Sequence, residues 1–280
     1  MLKFSVDDSK CTHCRQCVHD CPSRIIVQKG RAVPFVAAEQ EAACIQCQHC
    51  LAVCPTGALS IFGRNPADSL ALSREDLPTL EQMNLLIRGR RSVRQYQDEN
   101  VDPALLRQLL ATLANAPTGV NSRKLTFSVI DDKVVMANFQ RQVMTALTAA
   151  AEENRIPDHL AYLHAIVSWK YEYGVKLLFR SAPHALLVSA PPDAPCPVQD
   201  IALTLANFDL LAQSAGLGAV WWGMLSMVLQ TVPSLKSFWG LPADHHYYAM
   251  LFGIPSVHYP RAVQRDDAAT IKIVTGSQGD

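Results

Sequence analysis

The chain has 280 residues, enough for one large or two modest domains with real cores. Hydrophobic residues make up 49% and charged residues 18%, a globular composition rather than a disordered one. The 25 basic side chains are balanced by 25 acidic ones, which leaves no electrostatic footprint for nucleic acid and argues against that partner. The start, MLKFSVDDSKC, has neither an apolar core nor a cleavage site, so nothing marks the chain for export. Nine cysteines in that setting point to metal or redox use in a reducing cytoplasm, not to a disulfide framework.

Residues 1–63 contain eight of the nine cysteines in an internal repeat, CTHCRQCVHDCP at Cys11 and CIQCQHCLAVCP at Cys44. Short apolar runs, Ile25–Val27 and Leu59–Phe62, follow the two copies and read as small strands. So small a segment lacks the core to stabilise itself and needs bound metal as a staple. Residues 64–79 read as a polar linker, and residues 80–280 as a second, mixed domain. There, Thr79 and Gln82 predict a capping box for a helix through Met83, Leu86 and Ile87, stopped by Gly89. Asp102-Pro103 opens the next helix, with Leu105, Leu106, Leu109, Leu110 and Leu113 inside. A strand is expected at 125–130, a helix at 134–153, an aromatic helical stretch at 158–180 and a buried strand at 185–190. A helix at 199–215 and strands at 219–222 and 247–252 complete an α+β reading.

The uncharged run from Leu210 to Leu235 is long enough to raise the question of a membrane span. Gly216, Gly218, Gly223 and Pro233, with Gln213, Ser214, Ser226 and Gln230, interrupt it, so it reads as a buried helix followed by a strand. No membrane association is expected.

Both cysteine runs fit C-x2-C-x2-C-x3-C-P. Two-residue gaps wrap a tight turn that brings three thiolates to three irons of one cubane. A zinc site would need four ligands in two pairs, and would leave the third cysteine and the proline of each run unexplained. The segment resembles bacterial two-cluster ferredoxins, in which the fourth cysteine of each run ligates the other cluster. That resemblance implies Cys11, Cys14, Cys17 and Cys54 for one 4Fe–4S cluster, and Cys44, Cys47, Cys50 and Cys21 for the other. Arg15 and Gln48 stand where such ferredoxins often have glycine. Cys196, in PPDAPCPVQ, has no partner nearby in sequence and reads as a plain loop thiol.

No G-x-G-x-x-G follows a strand, so a built-in dinucleotide fold is not supported. Instead, RRSVR at 90–94, APTGVN at 116–121, AGLGAVWWGM at 215–224 and a late Gly-Ile-Pro with downstream arginines occur in order. Together they resemble the FMN-dependent nitroreductase family over residues 80 to about 268, and the fused arrangement resembles its ferredoxin-fused branch. The resemblance implies a small two-cluster ferredoxin-like domain followed by a nitroreductase-like α+β sandwich, an obligate homodimer with FMN at the subunit interface. Carried over, Arg90, Ser92 and Arg94 would hold the FMN phosphate and ribityl chain, with Arg91 adding backbone contact. Pro117, Thr118 and Asn121 would approach the flavin from the partner subunit. Gly223 and Met224 would place N–H groups near N5 and O4, and Arg265 and Arg261 would close the phosphate site. Many members carry Gln-Pro two residues after the asparagine; here Arg123-Lys124 add positive charge instead. Trp221 and Trp222 are expected to pack in the core.

The sequence therefore reads as a cytoplasmic flavo-iron–sulfur reductase. Electrons would pass from a low-potential external donor through two clusters to FMN and on to a small organic acceptor such as a nitroaromatic, quinone or activated alkene. Ferredoxin and NAD(P)H both stand as donors, and no side chain is an evident general acid. Two alternatives stay open: a non-enzymatic electron-transfer or redox-sensing module, and an NAD(P)H oxidase whose clusters export electrons.

Overall fold

The structure, a computed structural model, describes residues 1–169, 171–265 and 269–274. Lys170 of the aromatic stretch and the end of the expected second domain, 275–280, lie outside the described residues. The chain divides into two compact units. The first comprises Met1–Pro78 with Pro117–Lys124 and Asp193–Asp200; the second comprises Thr79–Ala116, Leu125–Pro192 and Ile201–Asp280.

The first unit is built from pieces too short to stand alone. Strand β1 (Ser5–Val6) is followed by helix α1 (Gln16–Asp20), β2 (Ile26–Val27), β3 (Phe35–Val36), helix α2 (His49–Ala52) and β4 (Leu59–Ser60). β1 pairs antiparallel with β4, Val6 opposite Leu59, and β2 pairs antiparallel with β3, Ile26 opposite Val36. Its core is small: Leu2, Ile25, Ile26, Leu51, Leu59 and Ile61 are buried, and cysteines pack directly against them. The linker segment carries only two short 3-10 turns, Pro66–Asp68 and Arg74–Asp76, each started by a side-chain cap from Asn65 or Ser73.

The second unit begins with helices α3 (Leu80–Gly89) and α4 (Pro103–Leu113). Thr79 and Gln82 cap α3 reciprocally, and Asp102 caps α4 ahead of its N-terminal proline. Strand β5 (Thr126–Ile130), the long helix α5 (Lys133–Glu152), helices α6 (Tyr162–Ser168) and α7 (Tyr171–Phe179) and strand β6 (His184–Ala190) follow. The expected aromatic stretch is thus two helices. Helix α8 (Pro197–Ser214), strand β7 (Gly218–Trp221), helix α9 (Gly223–Thr231) and strand β8 (His246–Gly253) complete it. The sheet is antiparallel in the order β5-β6-β8-β7.

Every residue of β6 is buried, as a strand covered on both faces must be. Alternation along the strands divides the covering. On one face, Ala185, Leu187, Ala249 and Leu251 join a core with Phe139 and Leu147 of α5, Phe179 of α7 and Leu225 of α9. On the other, Phe252 packs edge-on against Phe208 of α8, ring centroids 5.1 Å apart. Trp222 is buried and donates its indole N–H to the Leu178 carbonyl at 2.8 Å. Trp221, in contrast to expectation, is 38% exposed and tilts against Tyr248. As the last residue of β7 it points the opposite way from its neighbour.

Candidate iron–sulfur and flavin sites

In the first unit the eight repeat cysteines gather as two sets of four. One cavity is lined by Cys21, Cys44, Cys47 and Cys50 together with Leu2, Ile26 and Ile61. A second is lined by Cys11, Cys14, Cys17 and Cys54 with Val6 and Leu59. The fourth cysteine of each run has crossed to the other set. Burial pushes the Cys50 thiol up to about 12, and the nearby Cys47, Cys21 and Cys44 add to the rise. So buried a thiol resists ionisation, and a bound cation is what would hold Cys50 as a thiolate. Among the described residues no three His, Cys, Asp or Glu side chains converge on one ion. The sulfurs line cavity walls instead, the donor set that suits a cubane with one iron per thiolate better than a single zinc.

The repeat is conformational as well as chemical. His13 and Arg15 in the first copy, and Gln46 and Gln48 in the second, all have left-handed backbone, with φ between 55° and 63°. Alternating such residues with right-handed ones turns successive N–H groups inward and makes an anion-binding nest. That is why glycine is common at the Arg15 and Gln48 positions in similar segments. Two amides already donate to cysteine sulfur: Gln46 N to Cys44 Sγ at 3.4 Å and Ala58 N to Cys54 Sγ at 3.2 Å.

In the second unit the expected phosphate residues leave α3 as an extended segment beside β7. Val93 N donates to the Ala219 carbonyl at 3.0 Å, and Ser92 bridges Ala219. The glycines of AGLGAV make this possible. Gly216, with φ of 76°, reverses the chain after α8, and a Cβ on Gly218 would sit 2.6 Å from the Val93 side chain. A cleft of about 400 Å³ is lined by Arg88, Arg90, Arg91 and Arg265, with Ile87 and Val263. Arg91 Nε is buried without a hydrogen-bond partner, while Nη2 of the same side chain donates to the Arg88 carbonyl. Arg90 Nη1 pairs with Asp209 Oδ2 of α8 at 3.2 Å. Burial raises the Asp209 carboxyl above its ordinary value, and Arg90 opposes that rise. Ser92, Arg94 and Arg261 do not line the cleft; Arg94 donates to the Ser92 carbonyl at 3.2 Å, and Arg261 is exposed. Arg88 is the residue that sequence reasoning missed; it lies two positions ahead of the basic run, with Gly89 between.

Gly223 and Met224 are the first two residues of α9, whose N-terminus has no side-chain cap. The first amides of a helix have no partner within it, which suits an electron-rich group. Pro117, Thr118 and Asn121 belong to the first unit. Asn121 Nδ2 donates to the Ile45 carbonyl at 2.9 Å, between Cys44 and Cys47. Arg123 Nη2 donates to Gln46 Oε1 at 3.1 Å, and Lys124 pairs with Asp193 at 2.6 Å. Cys196 packs tightly on Gly119: a Cβ there would lie 2.9 Å from its sulfur.

The nitroreductase family model matches residues 87–254. The chain belongs to the nitroreductase family. A 4Fe-4S dicluster domain model matches residues 10–59, ahead of it. No curated protein matches the chain by sequence. Among solved structures, it is similar to a nitroreductase with bound FMN from Bacteroides fragilis, at 22% identity over 69% of this chain and 99% of that one, TM-score 0.56. An FMN-dependent nitroreductase from Clostridium difficile shares 20% identity over 69% and 98%, TM-score 0.51. A nitroreductase with bound FMN from Desulfitobacterium hafniense shares 19% over 67% and 96%, TM-score 0.51. At these identities the likeness establishes the α+β nitroreductase fold. The chain is an oxidoreductase of nitroreductase type carrying a 4Fe–4S domain. Among the described residues no helix is long and apolar enough to cross a membrane.

Proposed function

We propose that this nitroreductase takes electrons from a low-potential donor through two 4Fe–4S clusters to FMN, and passes them to an organic acceptor such as a nitroaromatic, a quinone or an activated alkene. The observation that carries the reading is the crossed gathering of the eight cysteines into two sets of four, in one chain with a nitroreductase domain. FMN can accept single electrons from such clusters and deliver two at once as hydride. Arg90, Arg91 and Arg265 would hold its phosphate, with Arg88 beside them, and the unpartnered Arg91 Nε fits a phosphate oxygen. Ser92, Arg94 and Arg261 would serve the ribityl chain and the outer phosphate contacts, and Pro117, Thr118 and Asn121 the flavin from the partner copy. The Gly223 and Met224 amides would sit where reduction adds electron density to the ring.

A homodimer is part of this reading. No residue of α3 is buried within the chain, and Leu80, Leu85 and Ile87 are between 55% and 88% exposed. An amphipathic helix with a bare apolar face needs a cover, here a second copy. The setting would be the reducing cytoplasm, where exposed cluster thiols persist. The test is anaerobic purification with iron, sulfide, FMN and molecular mass quantified, then reduction by ferredoxin or NAD(P)H. Eight irons and one FMN per chain in a dimer reduced by ferredoxin is the expected result. Zinc in place of iron, or absence of flavin, would overturn the reading.

A further inference from the structure

We infer that the cluster held by Cys21, Cys44, Cys47 and Cys50 is the one that exchanges electrons with the flavin, and that Asn121 and Arg123 are positioning residues for that exchange. The inference rests on the functional reading above. Its starting point is which half of the ferredoxin repeat the 117–124 loop of the same unit grips. Residues 117–124 lie far along the chain from the second cysteine run, yet they fold into the same compact unit. Asn121 reaches the Ile45 carbonyl at 2.9 Å and Arg123 reaches the Gln46 side chain at 3.1 Å. Both targets lie inside the Cys44–Cys47 turn. The matching residue of the first repeat, His13, shares its hydrogen bond with Gln28 instead.

The gripping loop is held in an unfavourable shape. Val120, Asn121 and Arg123 all have left-handed backbone, with φ of 45°, 54° and 50°. A β-branched residue there is an outlier that persists only where its surroundings over-determine it. The surroundings supply that: Gly119 N donates to Asp200 at 2.9 Å, Arg123 N donates to Thr118 Oγ1 at 3.0 Å, and Lys124 pairs with Asp193. Arg123-Lys124, where many family members carry Gln-Pro, thus acquires a purpose: both side chains fasten this loop. One stretch therefore carries the proposed flavin contacts Pro117, Thr118 and Asn121 and also fixes one cluster turn. In each transfer one electron leaves the reduced cluster. Two transfers, with protons from water, complete a two-electron reduction, and a one-electron donor such as ferredoxin refills the clusters.

The test uses the full-length holoprotein with Arg123→Ala, Gln46→Ala and the double variant. After mixing with chemically reduced ferredoxin, stopped-flow absorbance separates cluster reduction from flavin reduction. Each single change should slow the cluster-to-flavin phase about 3- to 10-fold, the population shift expected from one lost hydrogen bond. The double variant should be no slower than the worse single, because both remove one interaction. Iron and flavin content should stay at wild-type levels, and amide exchange across 44–48 should quicken in Arg123→Ala. Should Gln46→Ala lose iron, Arg123→Lys decides: retaining a donor, it should transfer faster than Arg123→Ala. Unchanged transfer with full cofactors, or additive slowing, overturns this inference alone. A preparation without flavin, or with one cubane, overturns the functional reading with it.

Discussion

Gly218→Ala tests the proposed phosphate site through its backbone rather than its charges. The new methyl would meet Val93 Cγ2, Cβ and Cγ1 at 2.6, 2.7 and 2.8 Å, closer than packed carbons approach. Overpacking of this kind costs about 1–3 kcal/mol. Relief requires the 90–94 segment to move off β7, which breaks the Val93 N to Ala219 O bond and adds about 1 kcal/mol. Arg90 and Arg91 sit on that segment, so flavin affinity should fall about tenfold, equivalent to ~1.4 kcal/mol, while iron–sulfur absorbance stays intact. Urea titration gives the stability change, and flavin fluorescence on dilution gives the affinity. Val93→Ala in the same chain should rescue only part of the loss, because the Cβ contact remains. Wild-type stability and flavin retention in Gly218→Ala would refute the account of how the arginines are placed.

Arg91→Ala and Arg90→Ala should each weaken FMN binding about ten- to hundredfold; equilibrium dialysis measures both. Cys21→Ser should damage the cluster of Cys44, Cys47 and Cys50, and Cys54→Ser the other, each leaving one intact cubane by EPR and iron analysis. Asp209 has its folded pKa raised, so its contribution to stability is fully present below the ordinary carboxylate pKa and lost as pH rises through the folded value. Urea midpoints from about pH 4 to pH 7 should therefore decline in the wild type relative to Asp209→Asn, and parallel curves would contradict this.

What could be read from the sequence was local. The cysteine runs, the Thr79–Gln82 box, the Asp102-Pro103 cap and the Gly216 stop each act within a few residues, and each stands where its chemistry puts it. Helix α9 escaped because it is only nine residues long, and its polar stripe of Ser226 and Gln230 reads equally as an interruption of an apolar run. The exposure of α3 was also hidden, since an apolar stripe does not say whether its cover lies in the same chain. The pairing of Arg90 with Asp209 and of Asn121 with Ile45 spans 119 and 76 residues, and no spacing rule announces such contacts. Sequence resemblance supplied a set of candidate flavin contacts; it could not say that Arg88 joins the cleft.

The left-handed residues of the cysteine turns bear on how the protein matures. His13, Arg15, Gln46 and Gln48 each hold a backbone shape that costs an L-residue roughly 1–2 kcal/mol, and none has the freedom of glycine. Without a bound group to reward that shape, ordinary conformations of these turns are favoured. On the two-cluster reading, iron and sulfide would act as the template that closes them, coupling the folding of the first unit to the loading of its inorganic cargo.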